Sequence, residues 1–176
     1  TRQYSDLWKN QFLQEFTKVK WTKNDKRLSN EQFTSLSDEW SWDTPLRTDY
    51  ERRQALIEID VLTSMELGIT LDQLKTLYRI QFPVVQAYEN DTWYDQNGRI
   101  VFTTNRSLTD IGYNRSEWEN IRDAQSGSFP RKIIDDTMPG GPIERTIEYV
   151  APFDRCDRER DYETAWACFE KKYENS

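Results

Sequence analysis

The sequence has no histidine, two cysteines and six glycines among 176 residues, and no apolar run near membrane-spanning length. Without imidazole there is no Ser-His-Asp triad, no Cys-His dyad and no histidine general base. Two thiols and no histidine fall short of a zinc site of the usual kind. Apart from Gly140-Gly141 the glycines stand singly, and neither G-x-G-x-x-G nor G-x-x-x-x-G-K-[ST] occurs, which removes the common nucleotide cradles. No two prolines are adjacent, so the polar-Pro-Pro-aromatic loop of base-flipping amino-methyltransferases is missing and the chain cannot methylate alone. A membrane span needs about 18 apolar residues in a row, and none is present. Thr1-Arg2-Gln3 opens neither a signal peptide nor a natural reading frame, so the chain reads as an excised piece of a longer, cytoplasmic protein.

Aromatic and charged residues are plentiful. Only 36% of the residues are hydrophobic, but 14% are aromatic and seven are Trp, enough large side chains for a core. Net charge is −7 and lies unevenly: residues 135–176 hold 6 basic and 11 acidic side chains, residues 1–134 hold 18 and 20. A general nucleic-acid clamp is ordinarily basic, so the acidic tail is a poor DNA face. For Cys156 and Cys168, free buried thiols are favoured over a disulfide in such a protein.

Periodicity predicts an α+β fold, mainly helical, with two antiparallel β-hairpins. Leu7, Trp8, Phe12, Phe16 and Val19 recur at helical spacing, and Ser29-Asn30-Glu31-Gln32 reads as a capping box ahead of Phe33, Leu36 and Trp40. The polar stretch 22–30 suggests a boundary, giving a helical extension over 1–28 and one module over 29–176. Thr44-Pro45 predicts the start of a long helix reaching Leu67. Its apolar residues spread beyond one stripe after Leu56, which predicts enclosure on more than one side. Gly68 is placed to end it, and Thr70 to Gln73 opens the next helix.

In TWYDQNGRIVFT, Asn97-Gly98 predicts a two-residue type I′ hairpin with Trp93 opposite Phe102 and Tyr94 opposite Val101. Residues 104–131 read as irregular around a short helix near Trp118. A second hairpin is expected from Lys132–Ile134 to Ile143–Val150, then a helix from Asp157 with Tyr162, Ala165, Trp166, Phe169 and Tyr173 on one face.

Three constellations invite a chemical interpretation. Glu170-Lys171-Lys172 matches the Glu-x-Lys of metal-dependent nucleases but sits near a helix C-terminus, where lysines suit the dipole. Asp135-Asp136 lies on a strand whose adjacent side chains point to opposite faces. Asp154 to Asp161 alternates in charge as a solvated helix start does. The one stretch with a nucleic-acid character is 96–132, where Arg99, Arg106, Arg115, Arg122, Arg131 and Lys132 face four acids, with Tyr113, Trp118 and Phe129 interleaved. Such cations can hold phosphates while aromatics stack or wedge; a plain surface over core aromatics is the alternative.

Two blocks, ERRQALIEIDVLTSMELGITLDQLKTLYRIQFPVVQAYENDTWYDQNGRIVFT from Glu51 to Thr103 and PGGPIERTIEYVAPFDRCDRERDYETAWACFE near the end, carry a resemblance. Over residues 44–173 the chain resembles the C-terminal region of large bacterial site-specific adenine DNA methyltransferases of restriction-modification and phage-defence systems. The segment around 104–131 is shorter than that family leads one to expect. The resemblance implies a non-catalytic C-terminal module, with S-adenosylmethionine bound elsewhere in the parent and no cofactor or metal in this chain. The partners it implies are the remainder of the parent polypeptide and double-stranded DNA, with this module assisting target recognition or positioning. The alternative is a structural scaffold without direct DNA contact.

Overall fold

The computed structural model describes residues 2–105, 112–136 and 140–174. The fold is α+β and mainly helical. Its helices are α1 (Ser5–Gln11), α2 (Glu31–Thr34), α3 (Asp49–Glu66), α4 (Leu71–Gln81), α5 (Pro83–Asn90), α6 (Arg115–Ile121) and α7 (Arg158–Glu174). Strands β1 (Trp93–Tyr94), β2 (Ile100–Phe102) and β5 (Asp154–Arg155) form one antiparallel sheet in the order β2-β1-β5. β3 (Ser128–Asp135) and β4 (Ile143–Val150) form the second, pairing from Ser128 with Val150 to Asp135 with Ile143. No described helix is long and apolar enough to cross a membrane.

Helix α3 is central, and it starts later than Thr44-Pro45 suggested. Thr48 is its cap: the Thr48 hydroxyl accepts from the Glu51 amide at 3.1 Å, and the Glu51 carboxylate accepts from the Thr48 amide at 2.9 Å. Three residues after Thr44 stands Arg47, which cannot return the hydrogen bond, and the Thr44 hydroxyl accepts from the Ser41 amide instead. The inner stripe of α3, Ile57 and Val61, packs with Leu74 and Tyr78 of α4 and with Tyr162, Ala165 and Phe169 of α7. Tyr173, expected on that face of α7, is exposed. The outer stripe is not enclosed as the sequence pattern suggested: Leu56 and Ile59 are 56% and 55% exposed.

Two further expectations change. The helix expected after Ser29 is the single turn α2, with Asn30 rather than Ser29 at its start and no side-chain cap, and the Gln32 side-chain amide donates to the carbonyls of Asp43 and Thr44. The helix expected over 7–19 breaks at Leu13, whose backbone is extended, into α1 and a 3-10 turn over Gln14–Lys18. Trp8, Phe12 and Phe16 still meet, with ring centroids 5.7–6.1 Å apart.

The first hairpin has the expected Trp93–Phe102 pair but a different turn. Tyr94 opposes Ile100, not Val101, across a bulge. The Gly98 amide donates to the Asp95 carbonyl at 3.1 Å and Gly98 has φ +79°, so the loop is a four-residue turn ending in a left-handed glycine. The reason is Asp95, fully buried, whose carboxylate accepts from the backbone amides of Asn97, Arg99 and Val150.

The boundary drawn at residue 28 meets a core that extends across it. No residue of α1 or of the 3-10 turn is buried, whereas Trp21 and Leu28 are buried with Tyr50, Tyr94 and Ile100. The segment without buried residues therefore ends near residue 20.

Candidate functional site

Within the basic stretch, every described cation already has an acceptor. The Arg99 guanidinium donates to the Glu148 carbonyl at 3.1 Å. Arg115, first in α6, binds Asp91 at 2.9 Å and lies over the Phe102 ring at 5.0 Å. Arg122 pairs with its neighbour Asp123, and Lys132 with Glu144 across the β3–β4 ladder at 2.8 Å. Arg131 meets Glu117 at 3.1 Å and covers the Tyr113 ring at 5.3 Å. Arg106 lies outside the described residues.

Glu117 explains part of this placement. Asn114 caps α6 by accepting from the Glu117 amide, and the Glu117 carboxylate accepts from the Asn114 amide while also receiving Arg131 from β3. One carboxylate thus starts a helix and fixes a strand. The interleaved aromatics face inward. Trp118 is buried and stacks on Phe102 at 5.6 Å with planes 4° apart, Phe129 packs on Phe153, and the Tyr113 hydroxyl donates to the Phe129 carbonyl.

A second constellation overlaps the stretch Asp154 to Asp161, whose charge pattern suggested a solvated helix start; Arg158 and Asp161 are instead largely buried, with 13% and 5% of their side chains exposed. Arg53 on α3 binds Asp161 of α7 at 2.5 Å, and Lys23 meets the same carboxylate at 2.7 Å. Arg27 bridges Asp25 and Asp154, with its guanidinium 3.8 Å from the Tyr50 ring centroid. Arg158 grips Glu89 through two nitrogens at 2.7–3.0 Å and reaches Asp60 and the Tyr162 hydroxyl at 3.1 Å. These residues come from widely separated parts of the chain, and no local spacing signals them.

The network borders a cavity of about 630 Å³ lined in part by Glu89, Trp93, Phe153, Arg155, Cys156 and Arg158. Two of its carboxylates, Glu89 and Asp25, are held in the ionised form. Burial would raise the pKa of Glu89, but hydrogen bonds from Arg158 and the charge of Arg53 outweigh it and hold the group low. Asp25 behaves alike: burial opposes ionisation, and hydrogen bonds from Arg27 and Tyr50 prevail. Burial pushes the Cys156 thiol up to about 11, the opposite of a reactive nucleophile. Cys156 and Cys168 are both free; Cys156 is partly buried and Cys168 is exposed rather than buried as expected. The geometry suits structural cross-bracing of α3, α5 and α7.

Asp135 pairs with Arg145 across β3–β4 at 3.0 Å, and Glu170 lies on a different element, α7. No family model, curated protein or solved structure matches this chain.

Proposed function

We propose that this chain is a non-catalytic module of an adenine-methyltransferase-like restriction or phage-defence protein of the cytoplasm, and that it works as a protein-interaction scaffold. The parent would bind S-adenosylmethionine elsewhere. What carries the scaffold role is that Arg99, Arg115, Arg122, Arg131 and Lys132 are all engaged by acceptors of the chain itself, while apolar side chains stand in solvent; the parent rests on the resemblance over residues 44–173 alone. Phosphate binding would have to displace those acceptors one by one. Large exposed apolar side chains are what protein interfaces cover.

A second function keeps double-stranded DNA as the partner. Arg115 and Lys132 have 58% and 72% exposed side chains, and such surface pairs are worth at most about 1 kcal/mol, little enough to exchange for a phosphate.

Fluorescence anisotropy of the chain on a labelled duplex, at low and at physiological salt, separates the two. The scaffold function expects no saturation up to about 10⁻⁵ M at either salt. Saturable binding tighter than about 10⁻⁶ M that salt weakens, and that the triple variant R115A/R131A/K132A weakens further, would transfer the role to DNA positioning.

A further inference from the structure

Where the loop from α3 to α4 meets the C-terminal half of α7, an open hollow of about 770 Å³ has an apolar lining that includes Met65, Ile69, Trp166 and Tyr173. Trp166 rests on the core beneath, while Tyr173 is 53% exposed. A second hollow of about 430 Å³ shares Ile69 and Asp72 with the first and continues along α4 to Leu77. Ile80, one turn beyond Leu77, carries the exposed apolar stripe further.

Every charged residue in the lining of either hollow is an acid: Asp72 in the first turn of α4, and Glu170 and Glu174 on α7. On α7 Trp166, Glu170, Tyr173 and Glu174 stand at i, i+4, i+7 and i+8, so rings and carboxylates share one stripe. The ion pairs between α4 and α7 use other residues, Lys75 and Arg79 with Glu159 and Glu163. Asp72, Glu170 and Glu174 enter none among the described residues, and Lys171 and Lys172 are not part of the lining. Nor do acids gather into a metal-binding group among the described residues.

We propose that this acidic, aromatic groove seats a basic amphipathic helix of a partner polypeptide. Its apolar side chains would cover Met65, Ile69 and Leu77, and its cations would lie between the carboxylates and the rings of Trp166 and Tyr173. Arginine suits both kinds of group, since a guanidinium bonds carboxylates through two nitrogens and stacks on aromatic faces. Leu77 and Ile80, at i and i+3, form the ridge against which helix anchors pack. The lining itself selects the sign of the charge. A nucleic acid or an anionic membrane would bring phosphates against three unpaired carboxylates, and isologous pairing of two copies would set the same acids against one another. A polybasic tail without apolar anchors would leave the floor wet. The proposal rests on the scaffold function above and names the chemistry of its partner.

The test measures anisotropy of three labelled peptides, each long enough for about four helical turns. One carries leucines at i, i+3 and i+7 with arginine at the remaining positions, one has glutamate in place of arginine, and one has serine in place of leucine. The arginine-leucine peptide is expected to bind at least about tenfold tighter than either of the others at physiological salt. D72N/E170Q/E174Q, which keeps the shape of the groove, should weaken that binding at least about tenfold, and Tyr173→Ala, an exposed change, should weaken it several-fold. Circular dichroism checks that each variant folds. E15Q/D38N/E39Q removes three exposed acids outside the groove and should leave the affinity unchanged. Equal losses in the two triple variants would mean that the net charge of −7 attracts any basic peptide, and this overturns the proposal. Equal affinity for the serine or the glutamate peptide, or no binding of any, overturns it as well. Self-association abolished by D72N/E170Q/E174Q would assign the groove to a second copy and likewise overturns it. Tight DNA binding through Arg115, Arg131 and Lys132 would sink the scaffold function and leave the groove intact. Failure of the arginine-leucine peptide, without DNA binding, would do the reverse.

Discussion

Arg158 concentrates more structure than any other side chain of α7. It holds Glu89 of α5 through two nitrogens and also reaches Asp60 of α3 and the Tyr162 hydroxyl, so three helices depend on one guanidinium. Replacing it with methionine keeps volume but leaves the largely buried Glu89 carboxylate with only Arg53, 3.5 Å away, and the Tyr78 hydroxyl. Breaking one side of a buried pair costs roughly 3–5 kcal/mol, so R158M should lower stability by that order in urea unfolding. R158M/E89Q should recover part of the loss, because the orphaned charge is gone. A loss under about 1 kcal/mol in the single variant would show the network to be a surface feature. The cysteines make a second residue-scale prediction. With the thiol of Cys156 pushed up to about 11 by burial and that of Cys168 exposed, iodoacetamide at pH 8 should label Cys168 first by mass spectrometry. Preferential labelling of Cys156 would contradict its described burial.

At the scale of elements, legibility followed the range of the interaction. Gly68 ends α3 with φ +68° and Thr70 caps α4 with Gln73, as their neighbours in sequence suggested, because both signals act within four residues. Helix α7 was readable for the same reason, and the β3–β4 hairpin in part: β3 starts at Ser128, inside the stretch 104–131 that read as irregular. The start of α3 was misplaced since Thr44-Pro45 and Thr48 both look like caps, and only the reciprocal carboxylate of Glu51 separates them. Thr48→Ala should therefore cost about 1 kcal/mol of stability, while Thr44→Ala should cost less than about 0.5 kcal/mol. Equal costs would return the start of the helix to Thr44. The hairpin turn was illegible because the deciding group, Asp95, also accepts from the Val150 amide, 55 positions away in the chain. Gly112 belongs to the same class: with φ +70°, a Cβ there would meet the Val101 carbonyl oxygen at 2.1 Å, a constraint no local pattern announces.

For the whole molecule, the buried network and the exposed basic stretch exchange the importance their sequences gave them. The stretch 96–132 stood out by composition, yet its described cations are paired, whereas Lys23, Arg27 and Arg53 drew no notice, Arg158 read as part of a solvated helix start, and together they form the buried network. This arrangement sets how stability depends on pH. Glu89 and Asp25 have folded-state pKa values below their ordinary 4.5 and 3.8, so the folded chain binds fewer protons than the unfolded chain as pH falls. Their stabilisation is complete above the ordinary values and is lost as pH drops through the folded-state ones. Cys156 is shifted the other way, from 9.0 to about 11, and Tyr50 from 10.0 to about 12, each by burial of its neutral form. Their stabilisation is complete below the ordinary values and is lost as pH rises towards the folded-state ones. The melting temperature should thus be flat between about pH 5 and 9 and fall on both sides. R158M/E89Q should show a shallower acid limb, since one of the depressed carboxylates, Glu89, is absent. Differential scanning fluorimetry across that range checks both statements, and an acid limb equally steep in the double variant would mean that Glu89 does not contribute to it.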